Sequence, residues 1–504
     1  MNKNPIKFGT DGWRGIIAED FTFDNVRLCA QAVADYVKQA GLAHRGLIVG
    51  YDTRFASEDF AAAAAEVIAA NGIKVYLCSK ATPTPVISYG VKAQQAGGAI
   101  IITASHNPAR WNGFKYKSEF GSSATDEVTM EIENNVAHIL ATGEIKQMPL
   151  AQALERGLVE YLDLALIYRQ HVANIIDLSQ LRQSQLKVVI DSMHGAGAGY
   201  LKTLLDGGMI KVAEINGDRN PLFPGIQPEP IVANLARLSA TIREQGADVG
   251  LATDGDADRL GVMDENGTFL TTLQVFTLLC LYLLEVRGER GLIVKTISTT
   301  AMLDRLGEIF GVPVRHTAVG FKYIAPIMLA ENALIGGEES GGFGFRGHVP
   351  ERDGILAALY FLDLMVKTGK KPSELIEYLY SKVGTHHFNR VDVKFPAAER
   401  QLIIEHIKHN YPQYIDGVKV DVNFPEAEHQ TIIERIKHNR PQYIDGVKVV
   451  KFDTTDGFRY ILADNSWLLI RFSGTEPLLR IYAESSTPAQ VARLLMLGKE
   501  LAGV

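Results

Sequence analysis

The stretch Ala99-Ile100-Ile101-Ile102-Thr103-Ala104-Ser105-His106-Asn107-Pro108 changes character midway. Its first half is wholly apolar and too short for a helix, which reads as a strand buried on both faces. Its second half is small and polar, the composition of a loop into which that strand breaks, with a serine hydroxyl and a histidine side by side. A serine is a poor nucleophile until a neighbouring base, charge or metal activates it, so the pattern marks a candidate covalent site. A strand that ends in small polar residues is also the ordinary composition of a turn.

The same rhythm recurs along the chain. Leu47-Ile48-Val49-Gly50 precedes an alanine-rich amphipathic stretch around Phe60 to Ala70, and Ile73-Lys74-Val75-Tyr76-Leu77 follows. Leu186 to Asp191, Ala247 to Ala252, Gly291 to Lys295 and Val312 to Arg315 repeat it. Apolar strands alternating with helices predict α/β sheets covered on both faces. Ligands of such sheets collect at the loops leaving the carboxyl ends of the strands.

After Pro372 the pattern becomes one of half-exposed strands, at Asn389 to Val393, Trp467 to Phe472 and Leu479 to Ala483. That predicts a smaller α+β domain at the C-terminal end. A chain of 504 residues is too long for one core, and the shifts in pattern place boundaries near 150, 265 and 380. The predicted domains are 1–150, 151–265, 266–380 and 381–504.

Within the last of these, Val391 to Lys419 is nearly copied by Val420 to Lys448, with 23 of 29 positions identical. A solenoid needs three or more stacked units, so two copies read as a tandem duplication of one strand-helix-turn unit. One copy is expected to fill the regular position and the other to extend the domain or loop out.

Composition excludes several classes. A net charge of -7 provides no broad field for nucleic acid, so an anionic ligand must be held by locally placed arginines. Cys29, Cys78 and Cys280 are far apart and lack metal or disulfide spacing, which fits a reducing compartment. The N-terminal stretch has no apolar signal region and no apolar run is long enough to span a bilayer. The expectation is a cytoplasmic protein without membrane or nucleic-acid partners.

Asp254-Gly255-Asp256-Ala257-Asp258-Arg259 follows an apolar run. Carboxylates at i, i+2 and i+4 on an irregular loop can converge on one hard cation, and three protein ligands suit Mg²⁺ with open positions. The other readings are a solvated acidic turn or part of a calcium loop. An EF-hand needs glycine where Arg259 stands and a preceding helix rather than a strand.

Arg471-Phe472-Ser473-Gly474-Thr475-Glu476-Pro477, followed by Arg480, combines hydroxyls, an open backbone and two guanidiniums. These are the parts of a phosphate cradle, or of a polar turn between strands. Gly336-Gly337-Glu338-Glu339-Ser340-Gly341-Gly342 offers carboxylates and a hydroxyl to sugar hydroxyls, although acidic glycine loops are common.

Lys115 either returns to the Ser105 site as an acid/base or an oxyanion stabiliser, with a lowered pKa, or lies on the surface. Arg14 and Arg54 sit in glycine-bordered loops, as ligands or as loop salt bridges. His194 reads as part of a tight strand-to-helix turn, and His348 as a substrate-facing or ordinary loop histidine.

TASHNP, DGDADR, GEESGG and RFSGTEP, in this order, resemble the α-D-phosphohexomutase family over essentially the whole chain. The resemblance implies three related α/β domains and a smaller C-terminal α+β domain around a central cleft. It implies that Ser105 is phosphorylated in the resting enzyme, and that Asp254, Asp256 and Asp258 hold Mg²⁺ with an oxygen of that phosphate. Lys115, His106, Arg14 and Arg259 would act in proton transfer and charge stabilisation. Glu338 and Ser340 would grip the sugar; Arg471, Ser473, Gly474, Thr475 and Arg480 would hold its non-reacting phosphate. The four domains would then be those of the phosphoserine, the metal, sugar recognition and phosphate binding.

A hexose 1,6-bisphosphate would be intermediate and activator, hexose phosphates the partners, and the assembly a monomer or homodimer. Gly342 stands where relatives acting on mannose or glucosamine phosphates often carry histidine. The expected activity is therefore a phosphoglucomutase, ahead of a phosphomannomutase or dual enzyme and of a phosphoglucosamine mutase. A phosphatase with a phosphoserine intermediate, or a non-catalytic sugar-phosphate-binding protein, would use the same residues.

Overall fold

The computed structural model describes residues 6–9, 11–394, 414–415, 418–419, 442–472 and 478–502. They form two compact units. One comprises Met1–Thr296, Phe310–Arg315 and Gly320–Leu379; the other comprises Ile297–Ile309, His316–Val319 and Tyr380–Val504.

The apolar run around Ile101 is a strand, β4 (Ala99–Ile102), and Ile100, Ile101 and Ile102 are fully buried. Each such side chain removed from water contributes roughly 1.5–3 kcal/mol, which fixes this strand at the centre of its sheet. Its neighbours are β1 (Trp13–Ile16), β2 (Leu47–Tyr51), β3 (Val75–Cys78), β5 (Trp111–Lys117) and β6 (Val159–Leu162), in the order β1-β5-β4-β2-β3-β6. β2 runs parallel to β3 and β4, whereas β5 returns antiparallel to β4.

A second sheet repeats the device. β7 (Lys187–Asp191), β8 (Lys211–Ile215), β9 (Val249–Thr253), β10 (Leu260–Met263) and β11 (Phe269–Leu270) lie in the order β11-β10-β9-β7-β8. β9 is parallel to β7 and β10 returns antiparallel to it. In the third sheet β12 (Ile293–Thr296), β13 (Val314–Thr317), β14 (Ile335–Gly337) and β15 (Phe343–Phe345) lie in the order β13-β12-β14-β15, with β14 parallel to β12 and β15 antiparallel to β14.

Ser105, Asp254–Asp258 and Glu338–Gly342 therefore occupy one topological position in three sheets. Each leaves the carboxyl end of a central parallel strand and turns back into an antiparallel one. This common plan is the α/β architecture that the alternating sequence pattern predicts.

The second unit carries β16 (His387–Lys394), β17 (Tyr414–Ile415), β18 (Val418–Lys419), β19 (Tyr443–Ile444), β20 (Val447–Asp453), β21 (Phe458–Leu462), β22 (Trp467–Phe472) and β23 (Leu478–Ser485). Six of them form an antiparallel sheet, β16-β23-β22-β21-β20-β19. Leu468, Ile470 and Ile481 on one face pack with Val491, Leu494 and Leu495 of helix Pro488–Ala502, while Trp467, Leu469 and Tyr482 pack with Ile297. Residues alternate between these two covered faces, giving the α+β domain expected here.

The duplicated segments use this sheet unequally. The first copy contributes its opening strand to β16, and the second contributes the hairpin β19–β20. The same hairpin of the first copy, β17–β18, pairs in the equivalent register but forms a separate two-stranded sheet. The rest of both copies lies outside the described residues.

Candidate active site

The Ser105 loop is held from beneath by Arg54. Its guanidinium, fully buried, pairs with Asp52 and donates to the carbonyls of Ser105 (2.7 Å), Asn107 (2.6 Å), Pro108 (3.0 Å) and Trp111 (3.0 Å). Thr103 Oγ1 donates to Asp52 and accepts from Ser105 N. These bonds keep Ser105 at a φ of +52°, a left-handed conformation that a non-glycine residue holds only when its surroundings over-determine it. Arg54 is thus a structural clamp, the loop salt bridge among its two sequence readings.

So held, Ser105 Oγ donates to Asp254 Oδ2 at 2.8 Å, joining the first hairpin loop to the second. The approach is tight enough to require a glycine: a Cβ on Gly255 would stand 2.4 Å from the Ser105 carbonyl oxygen. Arg14 reaches the same loop through Asn107 Oδ1 at 2.6 Å, and His106 Nδ1 lies 3.3 Å from Ser105 Oγ. Burial, reinforced by Arg259, Arg14, Arg54 and Lys115, holds the His106 pKa well below the usual histidine range, so its imidazole is neutral.

Asp254, Asp256 and Asp258 are buried and present carboxylate oxygens within 4.8 Å of one another. Burial, then repulsion from Asp256 and Asp258, pushes the Asp254 carboxyl far above its ordinary range. Asp256 moves the other way, because Lys115 and Thr84 outweigh the burial that would raise it. Asp256 Oδ1 and Asp258 Oδ1 are buried without a hydrogen-bond partner. Hard oxygen donors crowded together and left unsatisfied fit a small divalent cation.

Lys115 joins this cluster. Its Nζ lies 2.7 Å from Asp11 Oδ2, 2.8 Å from Asp256 Oδ2 and 3.7 Å from Asp258 Oδ2. Burial alone would lower its pKa, but Asp11, Asp256 and Asp258 outweigh it and raise the group above the usual lysine range. The acid/base role sketched from sequence required a lowered value; surrounding carboxylates reverse that, and Lys115 is a charged ammonium. Arg259 is similarly engaged, with Nη1 3.3 Å from Glu229 Oε1.

Glu338 and Ser340 sit in the β14–β15 hairpin loop. Glu338 is buried beside Arg352 at 3.3 Å, and Ser340 Oγ is buried without a hydrogen-bond partner. All of these groups belong to the first unit. Arg471 and Arg480 belong to the second, where they face each other across β22 and β23. Arg471 Nε bonds Asp456 Oδ2 at 2.7 Å, and Arg480 Nε lies 3.8 Å from Asp392. Ser473, Gly474 and Thr475 lie outside the described residues.

Sequence reading missed Asp11, Lys117, Glu229, Glu351 and Arg352. Lys115 and Lys117 share one face of β5 because strand residues alternate, and their charges are tolerated through Asp11 and Glu351, 3.0 and 2.7 Å from Lys117. Two lysines at i and i+2 in an otherwise buried strand were the available signal.

His348 is buried and hydrogen-bonded on both ring nitrogens, which is more than an ordinary loop histidine shows. Its Nε2 lies 2.9 Å from Asp353 and its Nδ1 2.9 Å from His171, whose pKa burial and His348 push down to about 4. His194 lies in the tight turn expected, at a φ of +56°, but helix Tyr200–Leu205 begins later because that turn is longer. The three cysteines are buried and free. No helix among the described residues is long and apolar enough to cross a membrane.

Comparison with known proteins agrees with this plan of three hairpin-loop sheets and one antiparallel domain. The phosphoglucomutase/phosphomannomutase alpha/beta/alpha domains I, II and III match residues 5–142, 167–267 and 273–383, and the C-terminal domain of that family matches 420–497. The chain belongs to the α-D-phosphohexomutase family, whose members are isomerases that move a phosphoryl group.

A phosphoglucomutase/phosphomannomutase of Thermococcus kodakarensis is 32% identical, with 98% of each chain covered. A phosphoglucosamine mutase of Carboxydothermus hydrogenoformans is 33% identical over 73% of this chain and 81% of the relative. A crystal structure provisionally described as a phosphomannomutase from Thermus thermophilus superposes with a TM-score of 0.81 at 34% identity, with 99% of each chain covered.

Proposed function

We propose that the protein is a phosphoglucomutase that interconverts glucose 1-phosphate and glucose 6-phosphate through a phosphoserine at Ser105. The observation that carries this reading is Ser105 Oγ at 2.8 Å from Asp254, inside a buried cluster that also holds Asp256, Asp258 and Lys115. The glucose preference rests on Gly342, which offers the sugar loop no imidazole.

In the forward reaction the O6 hydroxyl of glucose 1-phosphate attacks the Ser105 phosphoryl group. The new P–O6 bond forms as the P–Oγ bond breaks, and glucose 1,6-bisphosphate results. The bisphosphate then returns its other phosphoryl group to Ser105, releasing glucose 6-phosphate; added hexose 1,6-bisphosphate would rephosphorylate enzyme that has lost its phosphoryl group and so activate it. Neutral His106 can accept a proton beside Oγ, whereas charged Lys115 can stabilise the transferring charge. Arg14 and Arg259 add positive charge near the transferring group. Asp254, Asp256 and Asp258, with an oxygen on Ser105, would hold Mg²⁺, whose chemistry here is neutralisation of phosphoryl charge. Glu338 and Ser340 would bind sugar hydroxyls, and Arg471 and Arg480 the other phosphate, as bidentate guanidiniums suit.

A second reading, activity on both glucose and mannose phosphates, is favoured by the double name of the Thermococcus relative. Phosphorus NMR of each hexose 1-phosphate with Mg²⁺ and a trace of hexose 1,6-bisphosphate separates the two. Conversion fastest for glucose is expected, and equal rates on mannose would establish the dual enzyme. Release of inorganic phosphate alone, or no turnover at all, would sink the mutase reading for this chain.

A further inference from the structure

Arg352 belongs to none of the motifs that the sequence singles out, yet its side chain touches two of them. Its Nη2 lies 2.7 Å from Asp258 Oδ2 and 2.6 Å from Asp11 Oδ2, and its Nη1 lies 3.3 Å from Glu338 Oε2. The stem crosses Gly342 so closely that a Cβ there would stand 2.3 Å from Arg352 Cδ and 2.8 Å from Cγ. The volume a side chain at position 342 would need is therefore filled by arginine.

This placement is built in. Asp353 caps helix Gly354–Thr368 through the amides of Ile355 and Leu356, and its other oxygen accepts from Tyr168 at 2.7 Å and lies 2.9 Å from His348 Nε2. Gly354 N donates to the Ala257 carbonyl of the acidic loop. The backbone immediately after the arginine is thereby anchored to neighbouring elements.

We propose that Arg352 is a specificity-determining positioning residue that makes the sugar loop select neutral hexose phosphates over amino sugar phosphates. The inference rests on the reading of Glu338 as a sugar ligand. A lone buried carboxylate would attract an ammonium more strongly than a hydroxyl, because charge adds to hydrogen bonding. Arg352 supplies the compensating charge in advance. Five carboxylates, Asp11, Asp256, Asp258, Glu338 and Glu351, share the cations Lys115, Lys117 and Arg352. Glu338 keeps lone pairs for a hydroxyl, while a sugar ammonium arriving there would meet a guanidinium. Like-charge juxtaposition of this kind is an efficient means of rejecting a wrong ligand.

The test compares glucose 1-phosphate with glucosamine 1-phosphate, by kcat/KM and by calorimetric Kd, in the wild type, Arg352→Lys and Arg352→Met. Arg352→Met should raise the glucosamine-to-glucose ratio roughly tenfold or more, whereas Arg352→Lys, which keeps the charge, should leave it within about twofold. Equal losses on both sugars in Arg352→Met would reduce Arg352 to a structural part and overturn the proposal. Should that variant not fold, Gly342→Ala, which displaces the stem from Glu338, must shift the ratio the same way; an unchanged ratio overturns it equally. Absence of turnover in the wild type would reject the mutase reading, and the ratio of Kd values would still judge Arg352.

Discussion

The acidic loop Asp254–Asp258 of the first unit and the facing arginines Arg471 and Arg480 of the second concentrate charge of opposite sign by different means. In the first, three carboxylates lie on one buried hairpin loop, and Lys115, Arg259 and Arg352 offset part of their charge. In the second, two guanidiniums oppose each other on adjacent strands, with Asp456 and Asp392 beside them. Like charges directly opposite across strands cost stability, as do unpaired carboxylate oxygens inside a protein. One region concentrates oxygen donors of the kind that suit a cation, the other guanidiniums of the kind that suit an anion.

The contrast breaks most completely at the serine bonded to the acidic loop. Ser105→Ala should lower mutase turnover at least about a thousandfold while thermal stability stays near that of the wild type. Substantial residual turnover, or a phosphoryl label retained on the variant, would place the covalent carrier elsewhere. Asp256→Asn should come next, lowering activity by roughly a hundredfold and raising the Mg²⁺ concentration needed for half-maximal rate. An unaltered Mg²⁺ titration would mean that the loop is a structural ion network.

Arg471→Ala sharpens the other half of the comparison. It should raise KM about tenfold or more with a smaller change in kcat, as expected when a charge-assisted contact to substrate is lost; an unchanged KM would count against anion binding there. The smallest effect is expected from deleting residues 395–423, which joins the opening strand of the first copy to the remainder of the second. The sheet already uses that strand and that hairpin, so the shortened chain should fold and keep its activity, and loss of soluble expression would reject this account.

What could be read from sequence was local. The apolar run Ala99–Ile102 and its breakdown at Ser105, and the i, i+2, i+4 aspartates, are patterns of neighbouring residues whose consequences are set by strand geometry. Even the strand of Arg471 and the strand of Arg480 were legible, whereas their pairing across β22 and β23 required the sheet. The same limit explains the histidines: nothing near His348 in the chain announces His171 as its partner.

The sequence by itself determined the class of fold, the four motifs and the residue types able to hold a cation, a sugar and a phosphate. Only the tertiary structure decided that Lys115 is charged, that Arg54 clamps the Ser105 loop, and that Arg352 fills the space over Gly342. The reason is that a buried charge is tolerated only when partners surround it. Asp11, Asp258 and Glu338 are brought to Lys115 and Arg352 from separate segments of the chain by folding alone.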